Sequence, residues 1–565
     1  MIIAHPTYRA SIICWIICFY CPASRRKLVV LATTKCGHTF EAPMRFDDLK
    51  FTSDWADAFP CDSNIENSPR QVRHAVYSDV LPTKVPSPRI VAWSDEVALM
   101  LGLGSCAKDP RWADILSGNS ILSGMRPIAT RYGGHQFGQW AGQLGDGRAI
   151  TLGELRNETG LSFELQLKGA GPTPYSRFAD GRAVLRSSLR EFVASESMHF
   201  LGVPTTRALS LVDTGQGVER DMFYDGNAKM EKGAIVCRVA PTFLRFGHFQ
   251  ILHGNGEVEL LRKLIDDTIQ RYFPEIASIT PEEQYKNWFG EICKRTAEMI
   301  VHWMRVGFVH GVMNTDNMSV LGVTIDYGPF GFLEPFQPDW TPNTTDAVGK
   351  RYSYAHQPHI ALWNLQAFAH SLMAVIDREV LETGLEQYRE TYHKSYETMM
   401  ASKLGLLSDS YAAVADKFFN VLETCRPDWT NFFLILESLK IESSGSASDS
   451  DLNQLKSCFY NHSPDSDSLV VEFMQRYRQL RQSDQAQGFA SVQRMQQTNP
   501  VVVPRNYLLH RAIEAAKNDR YDTLNGLLQA CKTPYDRRWL TTEFAGNRPD
   551  WAADTPGCAT LSCSS

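Results

Sequence analysis

Apolar and polar residues change rhythm along this chain. In Arg148–Leu152 and Phe163–Lys168 they alternate, with Phe163, Leu165 and Leu167 on one side. That is the period of strands in an antiparallel sheet. From Ser187 the repeat lengthens to three and four residues, and Leu189, Phe192 and Val193 fall on one face of a helix predicted over Ser187–Phe200. Longer amphipathic helices are predicted over Glu257–Phe273 and Glu282–Val306, where Phe289, Ile292, Thr296, Met299, Ile300 and Trp303 recur at helical steps. Helical patterns also cover Ser94–Leu101, Ile360–Leu381, Leu385–Met400 and residues 505–531, with Gly384 as a break. Strands first and helices afterwards make an α+β, two-lobed chain with its ligand cleft between the lobes.

On this pattern residues 44–250 form a strand-rich N-terminal lobe and 251–440 a helical C-terminal lobe. Residues 441–468, around the serine-rich run Glu442–Asp451, read as a flexible polar insert. Residues 469–565 read as a C-terminal helical region with a loop-like tail ending Leu-Ser-Cys-Ser-Ser. Residues 1–43 differ from the rest. Ile12–Tyr20 is apolar but too short to span a bilayer, Arg25-Arg26-Lys27 follows, and Glu41 is the only acid. This composition predicts an organelle presequence and a mitochondrial location; the competing expectation is an extension before a true start at Met44, with a cytoplasmic protein. A signal anchor is a third reading. No later segment reads as a membrane span, and no stable membrane insertion is expected.

Composition narrows the function. At 565 residues, 43% hydrophobic, the chain is long enough for a large core and too long for one ordinary domain. A net charge of -6 argues against general nucleic-acid binding, and twelve Trp argue against global disorder. The 13 Cys are scattered, with one isolated CxxC at Cys18 and Cys21 and no zinc spacing, so free thiols in a reducing interior are expected.

The segment His310–Gly331 carries most of the candidate chemistry. Asp316, Asn317 and Asp326 lie within eleven positions, and Asp326-Tyr-Gly328 reads like the metal-binding Asp-Phe-Gly of a protein kinase. Two carboxylates and an amide can hold a hard cation and leave one carboxylate as a base. Lys168 ends a strand and Glu191 lies on the next helix, the kinase device for holding nucleotide phosphates. Gly145-Asp-Gly147-Arg148 can close backbone N–H groups and a guanidinium on phosphate oxygens; Asp180-Gly181 is a second glycine–acid turn. Arg238 and Arg245, in an apolar stretch, need anionic partners, and phosphate suits them. His135, His248 and His310 lack metal-ligand spacing and read as core or supporting residues.

Two long segments, Arg131–Arg148 and Leu165–Arg182, resemble signatures of the selenoprotein O family, as do the Asp316/Asp326 stretch and the terminal Cys-Ser-Ser. The resemblance runs from about Phe51 to the end, apart from the serine-rich insert. It implies a protein-kinase-like pseudokinase fold with additional C-terminal helices. It also implies an enzyme that transfers AMP from ATP to Ser, Thr or Tyr hydroxyls of protein substrates, with Mg²⁺ or Mn²⁺. Under it Gly145, Gly147, Arg148, Lys168, Asp180, Gly181, Arg238, Arg245 and Asp326 hold ATP. Glu191 pairs with Lys168, Asn317 and Asp326 bind metal, and Asp316 is the base. A kinase places its base Asp several positions before the metal Asn; here Asp316 immediately precedes Asn317. A protein kinase and a non-catalytic nucleotide-binding scaffold are the competing functions. Some relatives carry selenocysteine where this chain has Cys563, a slower redox group, with Cys558 as its candidate partner.

Overall fold

The alternating segments become neighbouring strands of one antiparallel sheet. The computed structural model describes residues 46–222, 225–439, 449–461, 466–558 and 560–562. The amino-terminal 1–43 segment, the core of the serine-rich run and Cys563 lie outside the described residues. The strands of the N-terminal part are β1 (Phe51–Thr52), β2 (Tyr77–Asp79), β3 (Arg89–Trp93), β4 (Ile128–Thr130), β5 (Gly133–Gln136), β6 (Gln139–Gln143), β7 (Ala149–Arg156), β8 (Ser162–Lys168), β9 (Ala183–Val184), β10 (Arg207–Arg220) and β11 (Lys229–Ala240). Their order is β2-β4-β7-β8-β11-β10-β3, with β1 added to β7 and β9 to β11; β5 and β6 form a separate hairpin. The β10–β11 hairpin carries no strand expectation from periodicity. Its inner half, Gly233–Ala240, is buried on both faces, so its residues do not alternate.

Short helices α1 (Asp54–Ala58), α2 (Asp95–Met100) and α3 (Trp112–Leu116) decorate the sheet. Ser94 caps α2, its side chain accepting from Val97 N. Helix α4 (Leu185–Phe200) lies across one face. Leu189, Phe192 and Val193 pack there with Ala208, Leu211, Ala234 and Val236. Full burial of such side chains is worth about 1.5–3 kcal/mol each, enough to hold the helix on the sheet. The opposite face, with Ile150, Leu152, Leu165, Leu167 and Val239, packs around Trp112.

The helical part begins with α5 (Phe246–Gly254), α6 (Val258–Tyr272), α7 (Pro274–Ala277) and α8 (Pro281–Val306), the last ended by Gly307 at φ 74°. Next come α9 (Gln357–Leu372) and α10 (Arg378–Leu404). The break therefore falls at residues 373–377, and Gly384 is not a breaker. It lies inside α10 because a Cβ there would stand 2.4 Å from Phe289 Cδ1. The glycine allows α8 and α10 to approach closely, a packing demand that outweighs helix propensity. Further helices cover Asn506–Lys517 and Asp522–Lys532. The polar insert is shorter than expected, since Asp449–Lys456 is helical and a second helix runs from Ser466 to Ala486. No helix among the described residues is long and apolar enough to cross a membrane.

The tail is docked through Ser562. Leu561 N donates to Pro342 O at 2.9 Å, Leu561 O accepts from Thr344 N at 2.8 Å, and Asn506 Nδ2 donates to Cys558 O at 2.9 Å. Cys558 is buried and unoxidised, and burial pushes its thiol up to about 12. That environment disfavours the reactive thiolate and corrects the expectation of an accessible redox partner.

Candidate active site

Strand β8 delivers Lys168 to the sheet's end, and α4 delivers Glu191 opposite it. Lys168 Nζ lies 2.8 Å from Glu191 Oε2 and 3.0 Å from Asp326 Oδ1. The β8–β11 register pairs Gln166 with Arg238, so Arg238 rises beside Lys168. Arg238 Nη1 contacts Glu191 Oε1 at 3.2 Å and also donates to Asp326 Oδ1, while its Nη2 donates to Gln166 Oε1. Arg245, just before α5, reaches Asp326 Oδ2 at 2.5 Å and Asp316 O at 2.8 Å, and stacks over the Tyr132 ring at 4.6 Å. Three cations thus converge on one carboxylate. Burial alone would push the Asp326 carboxyl up, but Lys168, Arg245 and Arg238 outweigh it and hold it well below the usual carboxylate range. Asp326 sits at φ 58°, a left-handed conformation that Asp tolerates better than bulkier residues.

Asp316 and Asn317 occupy a short 3₁₀ turn, Thr315–Asn317. Asp316 is 7% exposed; its Oδ2 faces Gln136 Nε2 at 3.4 Å, and its buried Oδ1 has no hydrogen-bond partner. Burial, against the pull of Arg245, pushes its carboxyl up to about 6. Asn317 Nδ2 donates to Val312 O at 2.9 Å, which orients the side-chain amide. The histidines are supports. His310, buried against Trp303, bonds Ile325 O through Nε2 at 2.9 Å, and His248 Nδ1 accepts from Arg245 N at 3.1 Å. Burial, reinforced by Arg245, pushes His248 down to about 3, so it is neutral. His135 is half-buried and its backbone N donates to Thr315 Oγ1 at 2.7 Å.

The glycine loop before β7 is held from behind. Gly145 has φ 127°, and a Cβ there would meet the Tyr175 ring at 2.5 Å. Ser176 Oγ donates to Gly147 O, Thr173 Oγ1 donates to Asp146 O at 2.7 Å, and Arg148 O accepts from Gly169 N at 2.7 Å. This brings Gly145–Arg148 beside the residues that follow Lys168. Asp180 and Gly181 pack elsewhere: Asp180 pairs with Arg220 at 2.6 Å, and a Cβ on Gly181 would lie 2.1 Å from Gly171. Neither belongs to the Asp326 cluster. Gln166, Gln136 and Tyr132 are supporting residues that pattern reading missed. Gln166 shares the polar side of the β8 alternation with Glu164 and Lys168, and that is the one signal that marks it.

A divalent cation suits the donors. Among the described residues no three His, Cys, Asp or Glu form a metal cage. The Asn317 amide and the partly exposed Asp326 carboxylate match the one or two hard oxygens that Mg²⁺ takes from protein, leaving the rest to water and phosphates.

Residues 62–532 match the family described as Protein adenylyltransferase SelO. The chain belongs to the SelO family. The protein nucleotidyltransferase YdiU of Nitrosospira multiformis is 49% identical over 547 residues, spanning 92% of this chain and 97% of the relative. Those of Aromatoleum aromaticum and Azoarcus sp. are also 49% identical, spanning 90% and 92% of this chain and 97% and 99% of the relatives. As a SelO protein the chain is a protein nucleotidyltransferase, an enzyme of the transferase class.

Proposed function

We propose that the chain has a kinase-like two-lobed arrangement and transfers AMP from ATP to a Ser, Thr or Tyr hydroxyl of an acceptor protein. One observation carries the reading. Lys168, Arg238 and Arg245 gather on Asp326, and Arg245 also bonds the backbone of Asp316, so phosphate-type cations and a candidate base form one cluster.

In this reading Lys168, Arg238 and Arg245 exchange part of their hold on Asp326 for phosphate oxygens, and Glu191 keeps Lys168 and Arg238 in place. The Gly145–Arg148 loop adds backbone N–H groups and a guanidinium. Asn317 and Asp326 are the residues that would hold Mg²⁺ or Mn²⁺, which would supply positive charge to the phosphate oxygens. Asp316 accepts the hydroxyl proton as the acceptor oxygen bonds to the α-phosphorus; the bond from that phosphorus to the bridging oxygen breaks, and pyrophosphate leaves. The raised Asp316 carboxyl favours proton acceptance more than an ordinary carboxylate does.

Incubation with ATP labelled separately at the α- and γ-phosphorus tests the reaction. Covalent α-label with released pyrophosphate is expected. Covalent γ-label without α-label identifies a kinase and overturns the proposal.

A further inference from the structure

The β5–β6 hairpin straddles the loop that carries Asp316. Its inner strand leaves no room for a side chain at Gly134, where a Cβ would stand 2.5 Å from Asp316 Oδ1. Gln136 faces Asp316, and at the turn Phe137 N donates to Tyr352 OH at 2.9 Å, whose own hydroxyl donates to Asn314 Oδ1 at 2.7 Å. The outer side of the hairpin is different. Phe137 is 36% and Trp140 43% exposed, and the nearby segment adds Val348, fully exposed. Large aromatics beside a reactive carboxylate are the composition of a binding surface.

Arg351 completes this surface. A Cβ on Gly138 would stand 3.4 Å from the Arg351 guanidinium carbon, which also lies 4.7 Å from the Trp363 ring. Asp346 accepts from the backbone N of Arg351 and of Tyr352, not from the guanidinium. No carboxylate among the described residues forms an ion pair with the Arg351 side chain, although Asp346 lies within its electrostatic reach, and its buried Nε has no hydrogen-bond partner. Arg126, Arg238 and Arg505, by contrast, all have acids. Gln136, which faces Asp316, and Gly138, which faces Arg351, are separated only by Phe137 at the turn where the hairpin reverses, so one short hairpin touches both groups.

We propose that this ridge docks the acceptor protein as an extended segment, and that Arg351 selects an Asp or Glu close to the hydroxyl that receives AMP. The proposal rests on Asp316 being the base. Its chemistry is the match of a guanidinium fork to a carboxylate, with Phe137 and Trp140 covering the neighbouring side chains.

The test uses the full chain and short fluorescein-labelled peptides with one serine flanked by Glu, by Ala or by Lys. Anisotropy reads binding without ATP, and α-labelled ATP reads transfer. The Glu peptide is expected to bind and react about fivefold better than the Lys peptide, the upper end for an exposed ion pair. Arg351→Gln should erase that preference and Arg351→Glu reverse it, with the KM for ATP unchanged and the melting curve close to wild type. Trp140→Ser should weaken all three peptides and keep the charge preference. Equal preference in wild type and Arg351→Glu overturns the docking proposal, as does wild-type preference for Lys. Acid-dependent, Arg351-dependent binding without α-label on any peptide leaves the docking site standing and overturns the AMP-transfer reading instead.

Discussion

Lys168 Nζ lies 3.0 Å from Asp326 Oδ1 although 158 residues separate them. The same ammonium bonds Glu191, so one cation ties β8 to α4 and to the segment after the Asp316 turn. Lys168→Met is expected to lose about 10²–10³-fold in transfer, as for loss of one preorganised charge clamp. Stability should change much less, because Arg238 still contacts both Glu191 and Asp326. Calorimetric titration with ATP and urea denaturation separate the two effects; a collapse of stability with intact ATP affinity contradicts the assignment.

Asp316→Asn removes the proton acceptor and keeps the shape. It should slow turnover about 10²–10⁴-fold and leave ATP affinity nearly unchanged. If affinity falls as steeply as rate, Asp316 is a metal ligand. Gln136→Ala removes a contact at the long limit of hydrogen bonding, 3.4 Å, so only a few-fold loss of rate is expected, within about 1 kcal/mol. Single-turnover kinetics at saturating ATP measure both.

Gly384→Ala sets two effects against each other. Propensity favours Ala by about 1 kcal/mol, while overpacking a close contact costs about 1–3 kcal/mol. The clash wins here, since the Cβ meets the fully buried Phe289 ring at 2.4 Å. A lower melting temperature is expected, with partial recovery in the double variant Gly384→Ala/Phe289→Leu. An unchanged or raised melting temperature in the single variant refutes the packing argument.

Glu164 makes stability depend on pH. It lies directly opposite Glu154 across the β7–β8 ladder. Burial pushes its carboxyl up to about 8, with Glu154 adding to the rise and a Thr242 hydrogen bond opposing it. Between the ordinary value of 4.5 and about 8 the unfolded chain has released this proton and the folded chain keeps it. Stability from this group is therefore present at low pH and lost as pH rises through that window. Glu164→Gln should flatten the dependence and be the more stable form near pH 8. Urea midpoints across the window provide the check; parallel curves for both proteins count against it.

Local periodicity was sufficient for β7, β8, α4, α6 and α8, because a half-buried strand or helix writes its period into its own residues. Residue type and spacing also singled out Lys168, Glu191 and Asp326, which the fold brings into contact, because few side chains suit hard-cation and phosphate chemistry. Sheet order could not be read that way. The placement of β11 beside β8 carries Arg238 to Lys168, and periodicity is silent there because β11 is buried on both faces. The same holds for partners. Asp180 went to Arg220, Asp326 collected three cations, and Cys558 sank beneath the docked tail. Gly384 shows the reason most plainly. Its own stretch reads as a helix break, yet its role is set by Phe289 on another helix. A residue's period is a property of its neighbours in sequence, whereas its partner and its desolvation depend on contacts that exist only once distant segments have packed.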